Sequence, residues 1–261
     1  MNLPERCAVL VVTCDNYKDL WQPFFTLFKR FWSDCRLPVY LITNFEQPAF
    51  ENVAVIPVGN DVSWSDNIIN ALSHIPQDYV FVMLEDLMLI GTINNSNVEK
   101  VFTWAIENNV NYVRMNPTVR GDVPHNELVD YVSKGTVYRA SVVMPLFKKE
   151  ALLQLLKKGE NAWEFEYYGS ERADDLDGFY ATKFDYFPNR NTVIKKVWEY
   201  RSAKIIEGMG VTIDYSKRRV MNRTERFVWN LKLIRTFFFG LVPSGLRRTV
   251  KEQFVGKKPS M

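Results

Sequence analysis

Two adjacent carboxylates, Glu85 and Asp86, directly follow an apolar run at residues 79–84. Such a run is typical of a central parallel strand that is covered on both faces. Charged side chains rarely follow it inside a core, because desolvating an unpaired carboxylate is costly. Open α/β sheets bind ligands beyond the carboxyl ends of their strands. We therefore expect Glu85 and Asp86 to hold a divalent metal ion or a phosphate-bearing ligand at such an edge.

Asp86 is the first choice as the metal ligand. Consecutive residues of a strand point to opposite faces, so only one of the two carboxylates is expected to face a cleft. Carboxylate oxygens are hard ligands that suit magnesium and manganese. The alternative interpretation is an acidic turn that caps the next helix or pairs with Lys or Arg.

The loop after the first predicted strand carries Thr13, Asp15 and Tyr17. In a parallel sheet this loop lies beside a bound nucleotide. Asp15 could accept hydrogen bonds from a ribose or a base edge, and Tyr17 could stack on a base. The alternative is an ordinary turn in which Asp15 or Asn16 caps the following helix.

Trp64, Asp66 and Asn67 open a predicted helix, with Ser65 or Asp66 as the N-cap. The unpaired N–H groups and partial positive charge of a helix N-terminus can receive a phosphate or a ribose hydroxyl. Asp66 would then contact the same ligand. The alternative is capping alone, with Trp64 as a hydrophobic staple.

Glu164 and Glu166 lie in a segment dense in aromatic and acidic residues. Either carboxylate could take a proton from an attacking hydroxyl, and the sequence does not separate them. If the segment is extended, alternation places both acids on one face and the intervening aromatics on the other. The alternative is a solvated acidic face over an aromatic core. Arg172 could bind a phosphate, or nearby aspartates could neutralise it.

Strands and helices alternate along the chain, which predicts βαβ units and a mostly parallel sheet. We expect strands at 7–13, 38–44, 53–58, 79–84, 112–115, 137–144 and 192–199. We expect helices at 18–32, 64–74, 97–108, 148–157 and 202–209.

Four segments in order make the chain resemble a bacterial glycosyltransferase of the GT-A type that builds surface polysaccharide or lipopolysaccharide. They are residues 12–17, 64–67, 84–86 and 163–172. The resemblance implies an α/β fold with a Rossmann-like, mostly parallel central sheet flanked by helices. It also implies a nucleotide-sugar half, an acceptor half after the acidic motif, and a manganese or magnesium ion held by that motif.

The resemblance implies an inverting, metal-assisted transfer of a sugar from a nucleotide-diphosphate donor to a lipid-linked oligosaccharide or to a lipopolysaccharide or capsule precursor. One departure concerns Leu87, which stands where many relatives carry a third acid. This leaves open how strongly a metal binds. The alternatives are a non-catalytic carbohydrate-binding or assembly protein and a sugar nucleotidyltransferase. The second would be expected to carry a Gly-rich basic loop after the first strand, which residues 13–17 lack.

The composition indicates a globular protein, with 47% hydrophobic residues in a chain of 261. Three cysteines without C-x-x-C spacing favour a reducing compartment. We see no secretory signal and no apolar run near the roughly 20 residues that span a bilayer. The predicted location is the cytoplasm, peripheral to the inner face of the cytoplasmic membrane.

The charge is distributed unevenly. Residues 217–261 hold 12 Lys/Arg and 2 Asp/Glu, a net of +10, whereas residues 1–216 have a net of −7. We therefore divide the chain into a catalytic domain at 1–216 and a basic helical appendage at 217–261. Interleaved cations and apolar residues favour a helix in an anionic membrane interface. The alternative is a helix packed on the body or on a second subunit of a homo-oligomer, and nucleic acid is not expected. The predicted membrane residues are Arg226, Trp229, Lys232, Arg235, Phe237, Phe238 and Phe239.

Overall fold

The computed structural model describes residues 2–117 and 119–240, with side chains described as far as Arg235. The strands are β1 (Cys7–Val12), β2 (Val39–Thr43), β3 (Val53–Pro57), β4 (Tyr79–Leu84), β5 (Leu87–Leu89), β6 (Tyr112–Arg114), β7 (Val123–Pro124), β8 (Val129–Tyr131), β9 (Pro145–Lys148), β10 (Phe179–Thr182), β11 (Asn189–Asn191), β12 (Val193–Ile194) and β13 (Val197–Trp198). The α-helices are α1 (Leu3–Arg6), α2 (Trp21–Phe31), α3 (Trp64–Leu72), α4 (Asn95–Glu107), α5 (Lys149–Leu155), α6 (Ala162–Glu164), α7 (Ser170–Arg172), α8 (Tyr200–Gly208) and α9 (Arg223–Gly240).

A nine-stranded sheet in the order β3-β2-β1-β4-β9-β6-β10-β8-β7 forms the centre of the described chain. The first four strands are parallel, as are β6 and β10. Strand β9 runs antiparallel between β4 and β6. The predicted α/β fold, with a mostly parallel sheet flanked by helices, is confirmed.

The two faces of the sheet bury separate apolar clusters. Along β1, Val9 and Val11 join the cluster that includes α2 and α4, whereas Leu10 and Val12 join the cluster that includes α3 and α5. This alternation follows from the two-residue period of a strand. Because every residue of β1 is buried, the strand reads as a continuous apolar run.

The order of the strands fixes where a ligand can bind. The chain winds from β1 outward to β2 and β3, then returns to place β4 on the other side of β1. The direction of winding therefore reverses between β1 and β4, and a crevice forms there beyond the carboxyl ends. Val12 pairs with Leu84 in the register, so Thr13 and Glu85 follow side by side.

Two predicted strands and one conditional interpretation differ from the structure. The strand expected at 137–144 is a series of turns, and β9 begins only at Pro145. Tyr138 and Met144 adopt φ angles of 57° and 50°, which no strand accommodates. The segment at 161–172 is helical rather than extended, and the strand expected at 192–199 is the short hairpin of β12 and β13.

The body of the protein continues beyond the predicted boundary after residue 216. The N–H of Trp198 donates to Arg219 O at 3.0 Å, and the N–H of Met221 donates to Trp198 O at 3.0 Å. Helix α9 begins after Asn222, whose side chain and backbone exchange hydrogen bonds with Glu225. In the described part of the chain, no helix has the length and apolar character to cross a bilayer.

Candidate functional site

A cleft of about 340 Å³ lies between the carboxyl ends of β1 and β4. All four segments singled out from the sequence contribute to its wall. A sheet edge at which the winding direction reverses is where open α/β folds bind ligands. The residues predicted from the sequence that line the cleft are Thr13, Tyr17, Trp64, Asn67, Glu85, Asp86 and Glu166.

Glu85 and Asp86 form the turn between β4 and β5, and both line the cleft. The expectation that only one of them could face it was wrong, because the strand ends at Leu84. The carbonyl of Asp86 accepts hydrogen bonds from Thr192 N at 2.8 Å and Thr192 Oγ1 at 2.9 Å. The backbone of the turn is therefore fixed by the segment after β11, while its two carboxylates remain on the cleft wall.

The two carboxylates are poorly compensated. Among the described residues, neither takes part in an ion pair. Burial, and then the charge of Asp86, hold the pKa of Glu85 well above its usual range. Burial also raises the pKa of Asp86, to about 6. This is the electrostatic signature of a site that a cation would stabilise.

Arg218 supplies the nearest positive charge, and sequence reasoning placed it in the tail. Its Nε donates to Asp19 Oδ2 at 2.8 Å and its Nη2 to Asn16 O at 2.6 Å. Its guanidinium lies 4.1 Å from the centre of the Tyr17 ring. Arg218 therefore holds the loop after β1, and its charge lowers the pKa of Glu85 and of Asp86.

The electrostatic cost of ionising Asp86 in the folded state predicts that its removal stabilises the protein. Asp86 has a folded-state pKa near 6 against an ordinary 3.8, so ionising it as the pH rises through 6 destabilises the folded state. Without divalent ions, Asp86→Asn should raise the free energy of unfolding by about 1–3 kcal/mol at about pH 8, and by little at about pH 4. Urea unfolding at several pH values, with a chelator present, measures this difference. A gain that is the same at every pH would contradict it.

Of the three residues predicted to bind a ligand in the loop after β1, two line the cleft and one does not. Thr13 lies on the cleft wall, where its hydroxyl accepts from Trp21 Nε1 at 3.0 Å, and Tyr17 lines the cleft beside it. Asp15 does not line the cleft, because its carboxylate accepts from the backbone N–H groups of residues 44, 45 and 46. Asp15 therefore ties the loop after β1 to the turn after β2, and no side chain caps the helical segment that follows, although the alternative interpretation required such a cap. Cys14 also lines the cleft, but burial raises the pKa of its thiol to about 12, so the thiol stays protonated.

Helix α3 is capped by Ser63, not by Ser65 or Asp66 as expected. The hydroxyl of Ser63 accepts from Asp66 N at 3.1 Å. The Asp66 carboxylate accepts in return from Ser63 Oγ at 2.6 Å and from Gly159 N at 2.8 Å, outside the cleft. Capping therefore accounts for Asp66 without a ligand.

Trp64 and Asn67 present unused polar atoms beside the cleft. Asn67 is 3% exposed, and its Nδ2 donates to Asp61 Oδ1 at 2.8 Å. Its Oδ1 and the Nε1 of Trp64 are buried without a hydrogen-bond partner among the described residues. Buried polar groups are nearly always paired, so these two atoms favour a ligand at this end of α3.

Glu164 and Glu166, which the sequence could not separate, have different surroundings. Glu164 accepts from Asn161 N at 2.9 Å while Asn161 Oδ1 accepts from Glu164 N at 3.0 Å. These reciprocal hydrogen bonds form a capping box at the start of α6. They hold the Glu164 side chain outside the cleft. Because the segment is helical, Glu166 projects from another face and lines the cleft.

Glu166 is held in place by the turns that replace the expected strand. Its Oε1 accepts from Ser141 Oγ at 2.6 Å and from Val142 N at 3.0 Å. It lies in one turn of π-helix, Phe165–Gly169. Such turns are frequent at functional sites, because the extra residue re-aims the side chains around it.

Arg172 does not reach the cleft. Its Nη1 and Nη2 donate to both carboxylate oxygens of Glu160, at 2.8 and 2.5 Å, and its Nε donates to Leu155 O at 2.8 Å. Glu160 therefore neutralises Arg172, rather than the aspartates that follow it. Glu160 is 8% exposed, so the pair is a structural link between α7 and the loop after α5, and the bond to Leu155 O joins α7 to the end of α5.

Sequence reasoning missed part of the wall, and no local pattern marks those residues. Among the described lining residues there is no Lys or Arg, whereas four are acids: Asp61, Glu85, Asp86 and Glu166. No group of three or more His, Cys, Asp or Glu residues in the described chain is arranged to hold a metal ion. The unpredicted lining residues include Asp61, Val142, Val143, Asn161, Trp163 and Asn191.

The exposed side chains of α9 are mostly not the ones predicted to contact a membrane. Arg226 and Trp229 are half-buried, and the guanidinium of Arg226 lies 4.7 Å from the Tyr200 ring centre. Lys232 is half-buried and Arg235 is exposed. The side chains of Phe237, Phe238 and Phe239 lie outside the described part. The exposed apolar residues of the described helix are Phe227, Val228, Leu231, Leu233 and Ile234, and all except Leu233 form one stripe.

Neither a protein-family model nor a curated protein sequence matches the chain. The structure of S. aureus TarS is similar, with a TM-score of 0.50 and 12% identity over 96% of this chain and 53% of TarS. TarS 1-349 in complex with UDP-GlcNAc has a TM-score of 0.49 and 10% identity over 89% of this chain and 72% of that one. A UTP-bound UGPase from Acinetobacter baumannii has a TM-score of 0.47 and 12% identity over 88% and 98%.

This chain spans about half the length of the longer TarS structure. At 12% identity, the similarity to TarS shows a shared fold of the GT-A, Rossmann-like type. The activity has to be argued from the residues of the cleft.

Proposed function

We propose that this protein is a GT-A glycosyltransferase. It transfers a sugar from a nucleotide-diphosphate donor to a lipid-linked oligosaccharide or to a lipopolysaccharide or capsule precursor, with inversion and with the help of a divalent metal ion. The donor occupies the β1–β4 side of the cleft, and the acceptor approaches from the side of Glu166. The observation that carries the proposal is the pair of carboxylates, Glu85 and Asp86, which form no ion pair among the described residues and lie at the reversal point of the sheet.

The charge of the cleft supports a metal ion. The described lining of the cleft has four acids and no Lys or Arg, so a diphosphate there would be repelled unless a cation lay between them. Magnesium is commonly bound by one or two carboxylates together with substrate phosphates, so a cluster of three protein ligands is not required. Asp86, with Glu85 beside it, would hold magnesium or manganese, which would offset the charge that develops on the departing diphosphate. Leu87 in place of a third acid fits such a sparse site.

The cleft residues then divide the work of transfer. Asn67 and Trp64 offer an acceptor and a donor of hydrogen bonds to the hydroxyl groups of the sugar nucleotide, and Tyr17 offers a ring face. Glu166 takes the proton from the acceptor hydroxyl as that oxygen bonds to the anomeric carbon. The bond from the anomeric carbon to the diphosphate oxygen breaks in the same step. The hydrogen bonds from Ser141 and Val142 orient Glu166 for this proton transfer.

The two alternatives fit the cleft less well. A nucleotidyltransferase must also neutralise a nucleoside triphosphate, yet the described lining carries no basic side chain. Lys18, in the loop after β1, is committed to Glu46. A non-catalytic binding protein has no need of buried carboxylates with raised pKa values, which cost stability.

A turnover screen tests the proposal. The protein is incubated with a panel of nucleotide-diphosphate sugars, with a saccharide or water as the acceptor of the sugar and with manganese or a chelator, and release of the nucleoside diphosphate is measured. The proposal expects release from at least one sugar nucleotide that depends on the metal. Formation of pyrophosphate from a nucleoside triphosphate and a sugar phosphate would identify a nucleotidyltransferase instead.

We further propose that α9 holds the enzyme at an anionic membrane surface, where a lipid-linked acceptor resides. The stripe of Phe227, Val228, Leu231 and Ile234 is exposed, and Arg235 accompanies it. The pKa of Lys232 is lowered by burial and then by the charges of Lys195 and Arg235, so three cations lie close together. A helix that exposes both apolar and cationic side chains can bind a membrane surface by apolar burial and by attraction to lipid headgroups.

A truncation after Asn222 should release the protein from anionic vesicles. It removes α9 but keeps Arg218 and Met221 packed on the body. Each Lys or Arg near the surface contributes about 1 kcal/mol, so vesicle binding should fall more than about tenfold, as measured by co-sedimentation. An unchanged melting temperature shows that the body still folds. Equal vesicle binding by the full and truncated proteins would reject the membrane role, and Leu231→Glu should weaken binding in the full chain.

A further inference from the structure

Trp163 is a large aromatic side chain that the proposed chemistry leaves unused. It is 57% exposed, although indole is among the side chains that gain most from burial. It lies on the wall of the cleft, at the second position of α6. The capping box of Asn161 and Glu164 surrounds it, so the backbone that carries the indole is fixed.

Trp163 and Glu166 are three residues apart in one helical segment, and both line the cleft. Only two residues separate them, and both side chains reach the same wall. The indole therefore stands within one turn of the carboxylate that we propose as the base. A molecule lying on the indole would present its edge to Glu166.

The wall between these two residues is not uniformly apolar. Val142 and Val143 line the cleft, and the carboxylate of Glu166 is held by Ser141. The available surface thus combines an aromatic face, aliphatic contacts and one fixed acceptor of hydrogen bonds. A flat apolar ligand would desolvate the carboxylate without adding a hydrogen bond to it, which is unfavourable.

We propose that Trp163 is the platform of a saccharide subsite, on which a pyranose ring of the acceptor lies with one hydroxyl directed at Glu166. One face of a pyranose carries C–H groups with partial positive charge, which suit the negative face of an indole. Its hydroxyls supply the donors that a carboxylate needs. This inference rests on the proposed function for the identity of the acceptor, but the subsite itself requires no donor and no metal.

Fluorine NMR on protein labelled with 5-fluorotryptophan tests the subsite directly. The resonance of Trp163 is assigned as the one lost in Trp163→Phe. The probes are methyl β-D-glucopyranoside, methyl β-D-galactopyranoside and methyl N-acetyl-β-D-glucosaminide, and glycerol serves as a polyol without a ring. We expect at least one pyranoside to move the Trp163 resonance saturably, in the absence of nucleotide, while glycerol does not. A resonance that none of the pyranosides moves, or that glycerol moves equally, would overturn the proposal.

Matched variants separate the subsite from general effects on folding. The affinity for the pyranoside is measured by saturation transfer from the protein to the pyranoside protons. In Trp163→Ala this affinity should fall about tenfold, which corresponds to about 1.4 kcal/mol. Trp163→Phe retains a ring and should lose less. Phe184→Ala removes another exposed aromatic residue, which is 61% exposed and does not line the cleft, and should change nothing.

Failure of the subsite and failure of the proposed function give different results. If the Trp163 resonance responds to a pyranoside but the protein turns over no sugar nucleotide, the subsite is supported and the transferase function is rejected. Metal-dependent turnover combined with full pyranoside affinity in Trp163→Ala leaves the transferase standing and rejects the subsite.

Discussion

Replacing Glu166 by Gln should lower kcat for sugar transfer by about 10²–10⁴-fold, the usual contribution of a positioned general base. The amide keeps the shape of the side chain, and its oxygen can still accept from Ser141 and Val142. It cannot take a proton from the acceptor hydroxyl. Donor affinity should therefore stay within a few-fold of the original, and the loss should appear in kcat. Steady-state release of nucleoside diphosphate, together with calorimetry of donor binding, measures both quantities.

Glu164→Ala is the matched control for this experiment. It removes half of the capping box at the start of α6, so it should lower stability by about 0.5–2 kcal/mol. The proton transfer should be little affected, because Glu164 does not line the cleft. If Glu164→Ala abolished transfer in a folded protein and Glu166→Gln did not, the two acids would have to exchange roles.

Asp86→Ala should weaken binding of the sugar nucleotide at least about 100-fold in the presence of manganese. Loss of an outer-shell partner of a metal already costs 10–100-fold, and a direct ligand should cost more. The variant leaves Glu85 as the one carboxylate of the pair, so the ion would lose the ligand that the proposal assigns to Asp86. Isothermal titration of the sugar nucleotide into each protein, with manganese or with a chelator, gives the affinities. In the chelator, the two proteins should differ little.

Asp78→Ala controls for loss of an acid near the same strand. Asp78 precedes β4 at the opposite edge of the sheet, where it forms an exposed ion pair with Arg6. Exposed pairs of this kind contribute little, so donor affinity should be unchanged. Unchanged donor affinity and turnover in Asp86→Ala would count decisively against the carboxylate site.

Much of the fold could be predicted because its central strands are buried on both faces. The apolar runs of β1 and β4 stand out as strands, and the acids that end β4 point to the edge where ligands bind. The loop of Thr13 and the start of α3 follow from the same reasoning, since parallel strands and the helices between them bring their ends to one edge.

The side-chain assignments depended on local geometry that apolar periodicity does not reveal. Alternation was applied to Glu164 and Glu166, but the segment is helical. Asn161 and Glu164, three residues apart, are themselves the signature of a capping box and could have separated the two acids. The same spacing of Ser63 and Asp66 marks the true cap of α3.

Tertiary contacts decided the remaining differences. The run at residues 137–144 is apolar and β-branched, yet Tyr138 and Met144 take left-handed backbone angles and Arg139 is fully buried. Arg139 donates to the carbonyls of Val132 and Leu176, so this stretch serves as a buried loop. Arg218 belongs to a run of basic residues, and net charge alone cannot show that it packs against Asp19 and Tyr17.

Thermal denaturation in a two-way screen of metal and sugar nucleotide tests the central claim most directly. Ligands that bind the folded state raise the melting temperature by mass action. A ligand at about 100 times its Kd adds about 2.7 kcal/mol to the free energy of unfolding. We predict a rise with at least one nucleotide-diphosphate sugar when manganese or magnesium is present, and little or none with the same compound in a chelator. A rise that is equal with and without the metal, or no rise with any sugar nucleotide, would contradict the role assigned to Glu85 and Asp86.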